Sequence, residues 1–271
     1  MHQGANDFQS QGFAVDYIKI NKESWDKRTE IHVKSKFYDV EGFLKGRNVL
    51  NEIELEELGC VANKSMLHLQ CHFGLDTLSW ARLGAKVTGV DLSSIAIDKA
   101  QSLAEKAALD ARFICADLYS FGQESKQQYD IVFTSYGALC WLPDLNKWAE
   151  LVASSLKVGG TFYMAEFHPF NDIFSGYSYF HTPTPDVEEE GTYTENDNGE
   201  TSTSITWAHP LSEVINALLS AGLTITQLNE YPYSPHNCFD NMVEQSAGKF
   251  YLKHKGQNVP LVYTVKATKC G

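Results

Sequence analysis

The 271 residues are 43% hydrophobic and 12% aromatic, which supplies one large core and excludes a disordered composition. Asp and Glu number 34 against 22 Lys and Arg, a formal charge of −12; so acidic a chain gains nothing from counterion release, and DNA or RNA is not expected as a partner. No apolar run reaches the roughly 18 residues of a membrane span, and MHQGANDFQSQGF at the start has no apolar leader region, so no membrane is expected and the chain is placed in the cytoplasm.

Residues 1–60 read as an N-terminal helical cap carrying Trp25, Arg28, His32 and Tyr38. SMLHL at 65–69 reads as a short buried strand, followed by a helix over 75–83 that stops at Gly84. KVTGVD at 86–91 is a second strand. A helix capped by Ser93 or Ser94 then carries the apolar stripe Ala96, Ala100, Leu103, Ala104 and Ala107. Residues 112–116 and 129–134 are the third and fourth strands. Pro143 suits the first turn of a helix to about 156, Gly159-Gly160 breaks it, and 161–165 is the fifth strand. Strands alternating with helices at this spacing predict an α/β fold: a doubly wound, mostly parallel sheet in three α/β/α layers.

From 166 to 208 the pattern changes to prolines, aromatics and the acidic run DVEEE. Asn198-Gly199, between 192–194 and 204–207, predicts a hairpin, with 186–200 as its solvated acidic tip. The segment is expected to be a lid-like insertion. Pro210 opens another helix, and 223–230 and 259–267 look like closing strands. One domain is expected over 1–271: the cap at 1–60, a cofactor-binding core at 61–165, the insertion at 166–208, and a C-terminal helix with closing strands at 209–271.

Ligands of such sheets lie beyond the carboxyl ends of the strands, at the switch point. There, QCHFG at 70–74 has one glycine where a dinucleotide fold wants G-x-G-x-x-G. Side chains at 70 and 72 crowd a pyrophosphate, which argues against an NAD-dependent oxidoreductase. Asp91 ends the second strand, where a carboxylate holds ribose hydroxyls. Asp117 ends the third, where an acid accepts from an adenine amino group. Two carboxylates and no phosphate cradle suit a positively charged adenosine ligand. His68, Cys71 and His72 have no further ligand pair at zinc-like spacing, so no metal is expected. The six cysteines, at 60, 71, 115, 140, 238 and 270, lack paired spacing and read as small apolar residues in a reducing compartment.

On these residues the chain resembles the class I S-adenosylmethionine-dependent methyltransferases. His68, Gln70, His72 and Gly74 fall on the four defined places of that family's D-x-G-x-G-x-G, and only the last is kept. VDLS at 90–93, CADL at 115–118, YDIV at 129–132 and LKVGG at 156–160 follow in the family's order. HLQCHFG followed by LDTLSWARLGA, with WDKRT at 25–29 and FYDV at 37–40, is similar to a bacterial branch with this altered first motif.

The resemblance covers about residues 40–165 and the closing strands. It implies a Rossmann-like sheet of seven strands with an antiparallel last strand, S-adenosyl-L-methionine as cofactor, and methyl transfer by direct displacement. It places His68, Gln70, Cys71, His72 and Gly74 at the cofactor through the loop. Asp91, Leu92, Ala116, Asp117 and Leu118 follow at the ends of strands two and three, and Ser135 and Tyr136 after strand four. The motif's acid binds the cofactor's amino group, which His68 does only as a neutral acceptor. Arg28 is expected to pair with the cofactor's carboxylate, and Tyr38 to close over it.

Glu166 and His168 follow strand five and are expected to face the methyl acceptor as catalytic bases, with His209 and His236 weaker candidates and His181 exposed. The expected acceptor is an oxygen or nitrogen atom of a small molecule, under a roof of Phe167, Phe170, Phe174, Tyr177, Tyr179 and Phe180. The alternative is a protein that binds the cofactor without transferring the methyl. Either fits a monomer or a homodimer.

Overall fold

A computed structural model describes residues 16–239 and 241–271; the leader reading at 1–13 lies outside them. The cap holds three helices: α1 (Tyr17–His32), α2 (Val40–Leu44) and α3 (Glu52–Leu58). The core alternates β1 (Ser65–Leu69), α4 (Leu75–Arg82), β2 (Lys86–Asp91), α5 (Ser94–Ala107), β3 (Ala111–Cys115), α6 (Leu118–Glu124), β4 (Tyr129–Ser135), α7 (Leu145–Ser155) and β5 (Leu156–Phe167). The insertion forms a hairpin, β6 (Asp186–Glu190) and β7 (Ser202–Thr206). Then come α8 (Leu211–Ser220), β8 (Leu223–Tyr231), the small strands β9 (Val243–Ser246), β10 (Lys249–Tyr251), β11 (Lys253–His254) and β12 (Gln257–Asn258), and finally β13 (Val262–Lys269).

One seven-stranded sheet has the order β3-β2-β1-β4-β5-β13-β8. Strands β1 to β5 pair in parallel, and β13 runs antiparallel to both β5 and β8. This is the expected doubly wound, three-layer sheet with an antiparallel last strand. The connections leave β1 toward β2 on one side and toward β4 on the other, so the switch point is the crest above β1 and β4.

The central strands are apolar on both faces because helices cover both. On one, Leu67, Val132, Phe162 and Met164 meet Trp148 of α7 and Leu218 of α8. On the other, Met66, Ile131, Phe133 and Tyr163 meet Trp80 of α4. Helix starts are capped where expected: Ser93 accepts from Ala96 N at 3.0 Å. Asp144, one residue past Pro143, caps α7 by accepting from the amides of Asn146 and Lys147.

Two readings of the chain need correction. The hairpin's first strand is the acidic run 186–190, not 192–194, and the segment is no free tip. Its carboxylates have partners: Ser204 Oγ donates to Glu190 at 2.7 Å, and Tyr177 OH to Glu188 at 2.5 Å. Helix α6 also went unforeseen; α3 falls within the expected helical cap, where Asn51 and Glu54 form a capping box.

Candidate active site

The loop after β1 alternates left-handed residues, Gln70 (φ 56°), His72 (φ 51°) and Gly74 (φ 78°). The conformation is natural for glycine and costs of order 1 kcal/mol at each of the other two. Asp91 holds the loop in that shape. Its Oδ2 accepts from His72 N and its Oδ1 from Ser93 N, both at 2.8 Å. Burial raises this carboxyl to about 6. Gln70 donates to Ala138 O at 2.7 Å, while its Oε1 is buried without a partner, as is His72 Nδ1. Cys71 is buried in the loop and Gly74 is pressed against Phe113 and Ala100.

Below the crest, His68 is fully enclosed and burial lowers its pKa to about 3, so the ring is neutral. Ser135 Oγ donates to Asp76 Oδ2 at 3.1 Å. The hydroxyl therefore accepts from His68 Nε2 at 3.2 Å, and His68 Nδ1 accepts from Thr77 Oγ1 at 2.8 Å. Asp76 is raised to about 6 by burial. Next to it, buried Glu54 accepts from Tyr136 OH at 3.0 Å and is raised to about 7, again by burial first. Asp76 and Glu54 were not anticipated. An acid in the first turn of a helix has an ordinary reading as a dipole partner, and only tertiary burial marks these two out.

Helix α1 lies over the crest. Asn21 exchanges two hydrogen bonds with the backbone of Ile205 in β7, at 2.8 and 2.9 Å. Asp26 accepts from Ser93 Oγ at 2.6 Å at the start of α5. Between these anchors Trp25 meets His72 and Trp141 edge-on, with ring centroids 5.1 and 5.2 Å apart. Arg28 sits 5.7 Å from the Trp25 ring and 5.8 Å from Trp141, and its Nη2 pairs with Glu190 at 2.7 Å. Its Nε is buried and unpartnered. His32 bridges His72 Nε2, at 2.8 Å, and Thr192. Tyr38 pairs with Tyr193 OH.

The other expected cofactor residues sit along the same edge. Leu92 follows β2. Ala116 donates its amide to Asp91 O at 2.9 Å. Asp117 caps α6 through Ser120 N at 2.9 Å, and Leu118 belongs to the core.

A cavity of about 140 Å³ opens beside Gly137, between the loop after β4 and the start of the insertion. Phe167, Trp207, Phe239 and Tyr263 wall it. The expected roof is therefore mostly elsewhere: Phe170, Phe174, Tyr177 and Phe180 are exposed.

Glu166 lines this cavity but spends its oxygens on the chain. Oε1 accepts from Gly137 N and from Phe167 N at 2.7 Å; Oε2 accepts from Ala138 N at 2.8 Å and Leu139 N at 3.1 Å. His168 is turned to Glu230, Nε2 to Oε1 at 2.9 Å, and its Nδ1 accepts from Phe170 N at 3.1 Å. Asp172, unremarked in the sequence, faces the same cavity. Burial, then the neighbouring Glu166 and Asp186, raise it to about 7.

Residues 66–160 match a family described as a methyltransferase domain. The ubiquinone biosynthesis O-methyltransferase of Coxiella burnetii (strain RSA 493 / Nine Mile phase I) is 29% identical over 163 residues, 59% of this chain and 67% of the relative. A solved S-adenosylmethionine-dependent methyltransferase from Methanosarcina mazei has a TM-score of 0.58 at 19% identity, covering 82% of this chain and 98% of that one. Another, from Clostridium acetobutylicum ATCC 824, has a TM-score of 0.57 at 15% identity, with 93% and 99% covered. Residues 66–160 therefore carry a methyltransferase domain, on a fold shared with these solved S-adenosylmethionine-dependent methyltransferases.

S-adenosylmethionine, the cofactor named for those solved structures, fits the crest of this methyltransferase domain. Three buried polar atoms there lack partners: Arg28 Nε, Gln70 Oε1 and His72 Nδ1. Carboxyls at 76 and 91 stand in the same region. A ligand carrying an ammonium, hydroxyls and a carboxylate suits this set of donors and acceptors; a pyrophosphate does not. Among the described residues no helix is long and apolar enough to cross a membrane.

Proposed function

We propose that this methyltransferase acts on an oxygen or nitrogen atom of a small molecule bound in the cavity beside Gly137, with Asp172 as the base. The observation that carries this is the half-buried Asp172 carboxyl, raised to about 7 inside that cavity. Among the described residues its oxygens accept no hydrogen bond, whereas the Glu166 oxygens accept four backbone bonds.

On the cofactor side, Asp91 takes the ribose hydroxyls and Asp117 the adenine amino group, with Leu92, Ala116 and Leu118 bordering the base. Asp76 takes the ammonium with Ser135 and His68, and so replaces the acid missing from position 68. Arg28 offers Nε to the carboxylate, and Gln70, Cys71, His72 and Gly74 shape the loop against it. Tyr38 and Tyr136 close the two sides. When bound, the cofactor supplies a methyl group on a cationic sulfur.

The chain's own contribution is placement. Glu166 fixes the loop from Gly137 to Leu139 that divides the crest from the cavity, and α1 with the hairpin keeps water out. Holding two reactants in line is worth roughly 7–11 kcal/mol. Asp172 then receives the proton that an acceptor hydroxyl or ammonium loses, typically worth about 10²–10⁴-fold. The Coxiella relative's name favours oxygen. The cavity's volume of about 140 Å³ suits a small acceptor and not a nucleic acid. Six free cysteines fit a reducing cytoplasm.

The test is tritiated methyl transfer into a cell extract, separated into small-molecule and macromolecular fractions. Label in small molecules, lost with Asp172→Asn, is the expected result. Label in protein or RNA overturns the substrate class.

A further inference from the structure

The insertion meets the start of α8 at a cluster the methyl-transfer chemistry does not use. His181, His209 and Glu213 each turn a ligand atom toward the others, all within 4.8 Å. His209 Nδ1 lies 3.1 Å from Glu213 Oε2, and His181 Nδ1 lies 3.8 Å from Glu213 Oε1. The two imidazoles stack with centroids 5.1 Å apart at 21°. His181, expected in solvent, is thus drawn against the body of the protein.

We propose that His181, His209 and Glu213 bind one divalent transition-metal ion of the zinc class, pinning the insertion to α8.

The hydrogen bonding around His209 points there. Its Nε2 is 2.7 Å from the carbonyl oxygen of Leu142, so Nε2 carries the proton and donates it. That leaves the Nδ1 lone pair facing a carboxylate oxygen at 3.1 Å. Two acceptors at this distance need a positive centre between them. A ligating imidazole whose second nitrogen donates to a backbone carbonyl is the usual outer-shell arrangement of metal sites, because it fixes the tautomer and the ring.

The donor set is also right. Two imidazoles and one carboxylate make a three-ligand zinc site with a position left open. With bonds near 2.1 Å, tetrahedral ligand atoms stand roughly 3.4 Å apart, close to the 3.1 and 3.8 Å that separate the two imidazole nitrogens from the two Glu213 oxygens, in a group whose ligand atoms all lie within 4.8 Å. His181 Nδ1 now donates to Ala208 O at 3.2 Å; the bound ion takes the place of that proton. His209 is the one of the three that also lines the acceptor cavity, so the ion braces one wall of it.

Isothermal calorimetry of zinc chloride with the untagged full chain tests this, on the parent, His181→Ala and Glu213→Gln. Both side chains are about a third exposed, at 29% and 30%, so neither change cuts into the core. Retained binding of S-adenosylhomocysteine by both variants confirms their fold and keeps the result separate from the cofactor site. The expected outcome is one zinc per chain, weakened at least tenfold in each variant, and a cobalt-loaded spectrum of nitrogen and oxygen ligation. No zinc binding by the parent overturns the proposal, leaving a proton in the gap. So do equal affinity in all three proteins, or thiolate-to-cobalt bands that move the metal to the cysteines.

Discussion

Asp172 and Glu166 lie on one cavity, yet their surroundings give them opposite work. Glu166 is buried with both oxygens tied to amides, which makes it a positioning residue. Asp172 has no such ties, and its raised carboxyl is poised near neutrality. Turnover is expected to rise with pH through about 7 in the parent, because the base must be charged. Asp172→Asn is expected to lower turnover about 10²–10⁴-fold and to flatten that rise. Stability shifts the other way. A buried carboxyl that prefers its proton contributes stability below its ordinary range and loses it as pH climbs through about 7. Urea midpoints of the Asn variant, relative to the parent, should therefore improve from pH 5 to 8; a pH-independent difference contradicts the burial argument. Gly74 carries a different constraint. A Cβ there would stand 2.8 Å from Phe113 and 2.9 Å from Ala100, at φ 78°. Gly74→Ala is expected to cost about 1–3 kcal/mol in urea unfolding. Asp91 was legible in the sequence because the end of a parallel strand is a meaningful address. Asp76 and Asp172 were not, since an acid in a first helical turn or an irregular insertion is ordinary until burial makes it unusual.

The insertion and α1 form one structure over the crest. Arg28 reaches Glu190, Ser24 pairs with Ser202 at 2.8 Å, and Asn21 completes the edge of β7. The acidic strand persists because α1 and β7 supply its partners, information no local pattern contains. For the same reason the sequence shifted that strand by several residues. The core strands were legible because continuous apolar runs between glycine stops admit few other readings; α6, at 7 residues, is too short for periodicity to declare. If α1 and the hairpin close over the cofactor together, hydrogen exchange should slow in both when S-adenosylhomocysteine is added. Protection confined to residues 70–74 would separate the cap from the site.

The sheet order brings the ends of β1 to β4, which carry many of the proposed cofactor contacts, to one crest, and α1 with the segment before α2 adds Arg28 and Tyr38. Three carboxyls there, Glu54, Asp76 and Asp91, are all held above their ordinary range by burial. Enclosed acids of this kind are best relieved by a cation that brings hydroxyls with it. The most direct measurement is calorimetry of S-adenosylhomocysteine with the parent, Asp76→Asn and Asp91→Asn. The account predicts one site per chain in the parent and at least a tenfold loss in each variant, about 1.4 kcal/mol. No heat with the parent, or unchanged affinity in both variants, would contradict it.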